Sequence, residues 1–293
     1  MGAEPQPRES SGNPESFSGG LTPAQIAHYE EHGYVVAPGV LSPEEIERYK
    51  VRARAIVYGG HPPEAKSRVV QDLRVYKGLA PAAEDLEHNM WKILNPDVFD
   101  PVFDGYLRTP KLLNAVESLI GPDILAFLLM FIYKPPHREE SVHPFHQDAV
   151  YFPFAPHAMS VGTWLPLDDA HADNGTLQII PGSHKWGLHK YTLPEGGKFG
   201  MALGLEATGA KDLPDQMPLN VKAGDCVLFH THLLHTTLGN KTDHHRRVIT
   251  IHFASAKCKP MGHIKEFGFQ LVRGRTYEKC LQPQPRSLHL NFV

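Results

Sequence analysis

The stretch ILAFLLMFIYKPP, Ile124 to Pro136, decides how this chain folds. It is eleven residues with no turn former, rich in β-branched and aromatic side chains and closed by two prolines, which reads as a buried strand. Similar short apolar or alternating runs follow it: AVYFPF (149–154), SVGTWLPL (160–167), GTLQIIPGSH (175–184), MPLNVKAGDCVLFH (217–230) and RRVITIHFASA (246–256). Turn residues separate them. Strands at such spacing predict a β-sandwich or barrel.

Upstream of Ile124 the grammar is helical. Thr22-Pro23 reads as an N-cap with proline at the first helical position, and Gly33 closes that helix before the strand-like YVVAP. Ser42, Pro43 and Glu45 have capping-box spacing and open a second helix ending at Gly59, with Ile46, Tyr49, Ala53, Ile56 and Val57 on one face. Thr109-Pro110 to Gly121 repeats the pattern, with Leu112, Leu113, Val116, Leu119 and Ile120 as its apolar stripe. Helices are therefore expected to dominate the first 120 residues and to pack outside the strands. Residues 1–20, dominated by Pro, Gly, Ser and Glu, read as a disordered tail, leaving 21–293 as one domain. The Gly- and Pro-rich piece from Leu193 to Pro218 is too long for a hairpin loop and is expected to be a lid or insertion near function.

Composition narrows the function. A chain of 293 residues, 41% hydrophobic, can build a substantial core. Its net charge of −3 and the lack of a Lys/Arg block argue against nucleic acid, and no apolar run is long enough to span a membrane. Three cysteines, Cys226, Cys258 and Cys280, without close paired spacing, suit a reducing compartment. The expected location is intracellular.

Within VHPFHQDAVYFPF (142–154), polar chemistry interrupts an apolar segment. Residues two apart on a strand share a face, so His146 and Asp148 project together while Gln147 points away. A third ligand is available in AGDCVLFHTHLLHTTLGN, where His230, His232 and His235 compete. Two histidines and one carboxylate leave half of an octahedral metal's positions open, the pattern of non-haem Fe(II) oxygenases. The same letters also fit a zinc hydrolase, or a buried histidine hydrogen-bonded to a carboxylate.

HPFHQDAVYFPFAP (143–156), ADNGTLQIIPGSHKWGLHKY (172–191), LLHTTLGNKT (233–242) and HFASAKC (252–258) together resemble the phytanoyl-CoA hydroxylase branch of the Fe(II)/2-oxoglutarate dioxygenases, from about Thr22 to about Arg275. The resemblance implies a double-stranded β-helix (jelly-roll, cupin-like), mostly β with flanking α-helices. It implies Fe(II), 2-oxoglutarate and O2, with ascorbate as an accessory. It selects His235, the histidine that closes LLH, as distal ligand beside His146 and Asp148, and leaves His143, His230 and His232 in structural roles. For the cosubstrate's remote carboxylate it favours Arg246. Alternation by itself leaves Arg246 and Arg247 equal, because Val248 and Thr250 share one face and Ile249 and Ile251 the other. Lys92, Met130, Trp164 and Thr237 match further cosubstrate-contacting or pocket-wall positions.

The implied reaction is hydroxylation at C2 of a branched acyl-CoA such as phytanoyl-CoA, with release of succinate and CO2, a step of fatty acid α-oxidation. Lys134, Arg138, Lys185 and Lys190, with Lys198 and Lys211 in the long segment, are candidates to meet CoA phosphates. The family's best-known member is peroxisomal. This chain ends HLNFV, with no S-K-L-like tripeptide and no clear import signal, so cytoplasmic and peroxisomal locations both stay open. Relatives elsewhere in the superfamily act on small metabolites, which makes a non-CoA substrate the alternative. A non-catalytic metal-binding barrel is the third reading.

Overall fold

The computed structural model describes residues 19–192, 206–262 and 267–287. Most of the expected tail, residues 193–205 (with Lys198) of the expected lid or insertion from Leu193 to Pro218, and the HLNFV terminus lie outside them. Each expected helix forms, the first two with the caps their sequence gives, although Thr109 makes no side-chain cap bond at the third. In α1 (Pro23–His32) the Thr22 side chain and Gln25 close a reciprocal capping box, and Gly33 ends the helix in the left-handed region at φ +82°. In α2 (Pro43–Val57) Ser42 and Glu45 do the same. Two short helices, α3 (Leu73–Tyr76) and α4 (Pro101–Tyr106), precede α5 (Pro110–Ile120).

Helices dominate this part as the sequence pattern suggests, but three short strands interrupt them: β1 (Tyr34–Ala37), β2 (Val69–Gln71) and β3 (Met90–Leu94). All three join one large antiparallel sheet with β4 (Ile124–Lys134), β7 (Ser160–Pro166), β12 (Cys226–His230), β14 (Arg246–Ser255) and β16 (Gln270–Arg273). A second sheet carries β5 (His143–His146), β8 (Leu177–Ile179), β11 (Met217–Pro218) and β13 (His235–Thr237), ordered β11-β8-β13-β5. Short pairs, β6 (Phe154–Ala155) with β15 (Lys259–Pro260) and β9 (Tyr191–Thr192) with β10 (Glu206–Ala207), complete the set. This is the jelly-roll arrangement that the family resemblance implies, within the sandwich or barrel that the strand spacing predicts.

The large sheet separates two apolar environments. Its outer face carries Ile249, Ile251 and Phe253, which share one core with Tyr49 and Ile56 of α2, Phe103 of α4 and Leu112 and Val116 of α5. Its inner face carries Trp164, Phe229 and Val248, packed with Leu177 and Ile179 of the small sheet. Between Thr250 and His252 of β14 there is one residue, while β4 has two, Leu128 and Leu129, between their partners Met130 and Phe127. Leu128 takes φ +53° there. This β-bulge shifts the phase of β4, so that Met130 and Phe127 both face inward although their spacing is odd.

Candidate active site

The segment 142–154 is not the continuous strand its apolar character suggests. β5 ends at His146, Gln147 stays extended at φ −123° and ψ 126°, and Asp148 opens a single 3₁₀ turn to Tyr151. The early stop follows from Gln147. Its carboxamide, fully buried, donates to the Gly187 and His232 carbonyls and accepts from the His189 amide and the Tyr191 hydroxyl. All of its hydrogen-bonding capacity is spent on the face away from the cavity. His146 and Asp148 are left on the cavity side.

His235 lies directly across from His146 in the β13–β5 ladder, with the ring centroids 4.1 Å apart. The Nδ1 of His146 lies 2.9 Å from the Pro144 carbonyl and that of His235 2.9 Å from the Leu233 carbonyl. A carbonyl only accepts, so each Nδ1 carries the proton and each Nε2 presents its lone pair. Both lone pairs face Asp148 Oδ1, at 3.4 Å from His146 and 3.7 Å from His235. These three side chains are the one group of metal-type donors whose ligand atoms come within 4.8 Å of one another among the described residues. Burial would raise the Asp148 carboxyl, but His252, His235 and His146 around it hold it well below the ordinary carboxylate range. Burial, with His146 adjacent, pushes His235 down to about 4. The cluster thus holds an ionised carboxylate and a neutral imidazole, the protonation states a metal needs.

The histidine competition resolves as the resemblance implies. His230 accepts the His232 amide and His232 contacts His157, so both are tied up away from the cluster. His143 lines the cavity beside His146 without joining the donor set.

A cavity of about 250 Å³ opens onto the cluster. Lys92, Met130, Trp164 and Thr237 all line it, on β3, β4, β7 and β13. Arg246 is not among the lining side chains. Its guanidinium carbon sits 5.5 Å from the Trp164 ring centroid, and Nε, Nη1 and Nη2 are buried without a partner among the described residues. Burial lowers it to about 9, and burial lowers Lys92 to about 8, its ammonium resting 3.8 Å from the Trp91 ring centroid. The Arg247 side chain on the outer face makes two hydrogen bonds to Asp168, at 2.9 and 3.0 Å, its backbone amide adds a third, and Lys50 meets the same carboxylate at 2.6 Å. That contact distinguishes the surroundings of the two arginines. Arg247 is neutralised in place, whereas Arg246 is an unspent cation, which fits an anionic group supplied from outside.

The expected CoA-phosphate cations fare differently. Lys134 is buried at 3% exposure, with its ammonium donating to the Ser141 and Thr237 carbonyls, so it braces the cavity wall. Lys185 and Lys190 are exposed on the loop that Gln147 anchors on the far side of β5, and neither they, Arg138 nor Lys211 line the cavity. The cation at the mouth is Arg74, paired to Glu140 at 2.9 Å with both half-exposed. Sequence reasoning missed Arg74, and it missed His252, whose Nε2 lies 2.8 Å from Asp148 Oδ2. His252 stands six residues after Arg246 on the same strand. Even spacing was the available signal.

A jelly-roll with two histidines and a carboxylate converging inside it defines a non-haem metal oxygenase. The family model described as "Phytanoyl-CoA dioxygenase (PhyH)" matches residues 29–248, and the chain belongs to that family of dioxygenases. It is 33% identical over 244 residues to the peroxisomal phytanoyl-CoA dioxygenase of Rattus norvegicus, covering 82% of this chain and 70% of that one. Among solved structures it is similar to the non-heme monooxygenase ThoJ, with a TM-score of 0.65, 22% identity and coverage of 89% of this chain and 88% of that one. It is also similar to the epimerase SnoN in complex with Fe3+, alpha ketoglutarate and nogalamycin RO, with a TM-score of 0.63, 21% identity and coverage of 90% and 94%. At such identities the structures establish the shared fold. No described helix is long and apolar enough to cross a membrane.

Proposed function

We propose that this protein is an Fe(II)- and 2-oxoglutarate-dependent dioxygenase that hydroxylates a C–H bond, with residues 21–293 acting as one catalytic domain and succinate and CO2 as coproducts. The observation that carries the reading is Arg246, a buried guanidinium with no hydrogen-bond partner among the described residues, set behind Trp164, a side chain that lines the cavity onto which two imidazoles and one carboxylate converge. A dicarboxylate cosubstrate supplies what both features lack. His146, Asp148 and His235 would hold the iron, which activates O2 at the positions they leave free. Arg246 binds the remote carboxylate, Thr237 lies two residues from His235 within the same cavity, and Lys92 adds a second positive charge. Trp164 and Met130 wall the reacting centre from water.

The substrate that family membership favours is a branched acyl-CoA such as phytanoyl-CoA, hydroxylated at C2 for fatty acid α-oxidation. The nucleotide of such a substrate would meet Arg74, an exposed cation that lines the cavity. In a second reading the substrate is a small non-CoA metabolite. The test is succinate formation from 2-oxoglutarate by Fe(II)-loaded protein with ascorbate, across acyl-CoAs, free acids and small metabolites. Coupled 2-hydroxyacyl-CoA formation supports the first reading. Coupled turnover of a free acid or other metabolite alone replaces it with the second, and no consumption of 2-oxoglutarate under any condition leaves a non-catalytic metal-binding barrel.

A further inference from the structure

Asp148 has an unusual dependence for a metal ligand. His146 and His235 sit in a strand ladder that fixes their backbones, and their ring nitrogens bond carbonyls two residues away. Asp148 begins a 3₁₀ turn instead, with no strand partner of its own. Its carboxylate is divided: Oδ1 faces the Nε2 atoms of both histidines, and Oδ2 meets His252 Nε2 at 2.8 Å. The His252 ring is buried in an aromatic slot, 5.6 Å from the Phe127 centroid and 5.0 Å from that of Phe152. The bulge at Leu128 is what turns Phe127 inward to form this slot. Nothing among the described residues bonds its Nδ1. With an acceptor at Nε2 and none at Nδ1, the proton of the neutral ring belongs on Nε2.

We infer that His252 is a positioning residue that holds Asp148 as a one-oxygen ligand, by donating from Nε2 to Oδ2 and presenting Oδ1 alone to the metal. This rests on the metal-centre reading above and deepens it. Keeping Oδ2 engaged prevents the carboxylate from turning to offer both oxygens, so one more position at the centre stays available to cosubstrate or O2. The slot supplies rigidity, and the absence of a competing acceptor at Nδ1 leaves one donor direction. His252 therefore ties the large sheet to a ligand that the small sheet's ladder does not hold.

The test uses the full chain and Co(II) as probe, with affinity and visible absorption spectrum measured for the wild type, His252→Phe and His252→Gln. Phenylalanine fills the slot without a donor, while glutamine returns an N–H at similar reach. The expected result is about 10- to 100-fold weaker Co(II) binding with an altered spectrum for His252→Phe. Affinity and spectrum should recover in His252→Gln, and metal-free melting temperatures show whether any loss reflects unfolding. Wild-type affinity and spectrum in a folded His252→Phe would overturn the inference while leaving the metal centre standing. Should His252→Phe fail to fold, His252→Gln decides alone: the wild-type affinity and spectrum support the inference, and a folded His252→Gln with lost affinity overturns it. Wild-type protein that binds no Co(II) would remove the metal-centre reading itself, and this inference with it.

Discussion

Replacing Arg246 by methionine separates binding from stability in a way that follows from its surroundings. Three nitrogens of this guanidinium are buried and have no hydrogen-bond partner among the described residues, and burial already lowers it to about 9. In the protein without cosubstrate the charge is thus a cost, and an apolar side chain of similar length should leave the melting temperature unchanged or raise it. With 2-oxoglutarate the sign reverses, because a charge-assisted hydrogen bond to a carboxylate contributes about 1.5–3 kcal/mol. Losing it should raise the KM for 2-oxoglutarate about 10- to 150-fold. Arg247→Met is the mirror experiment. It leaves Asp168 with Lys50 and the residue-247 backbone amide, without the guanidinium, and should lower the melting temperature while the KM changes little. The assay is succinate formation against 2-oxoglutarate concentration, with thermal melts of metal-free protein. A KM for Arg246→Met within threefold of wild type, or a large rise for Arg247→Met instead, would refute the assignment of the two faces of β14.

Asp148→Ala should abolish turnover and Co(II) binding while circular dichroism stays native, since the carboxylate lies at a cavity wall and a turn, outside the helix-packed core; retained turnover would rule out the triad. Burial lowers Lys92 to about 8, so its positive charge is present below that pH and lost above it. The KM for 2-oxoglutarate should accordingly rise as pH increases through about 8 in the wild type, and this limb should vanish in Lys92→Met, where a persisting limb would point to another group. Arg74→Glu places like charge beside Glu140 at the mouth, so the KM for an acyl-CoA should rise with that for 2-oxoglutarate unchanged. No change in the acyl-CoA KM would move the CoA contact elsewhere.

The outline of both fold and site was legible because local chemistry dictated it. Capping boxes at Thr22 and Ser42 and the apolar run 124–134 depend on neighbours within a few residues, and they formed where the sequence placed them. So did the pairing of His146 with Asp148, although through one extended residue and a turn rather than a strand. What alternation alone could not supply was the side of the sheet. Ile249 and Ile251 are as apolar as Val248, and both faces of β14 are covered, one by helices and one by the barrel interior. The distinguishing fact is Asp168 at the end of β7, adjacent to Arg247 only once β7 and β14 are paired.

Phase was harder still on β4. A bulge shows in the sequence as nothing more than Leu-Leu, yet it moves Phe127 from one face to the other and so builds the slot around His252. Lys134 misled for a related reason. Lysine in a loop-flanking position suggests solvent, but the end of β4 lies under the backbone of Ser141 and Thr237, which take its ammonium. His252, which was missed, and Lys134, which was misplaced, share one property: each meets a partner far along the chain. Asp148 and His252 are separated by 104 residues, Lys134 and Thr237 by 103. Ligand identity is therefore local information here. Ligand orientation, which decides how many positions a metal keeps open, belongs to the pairing of distant strands.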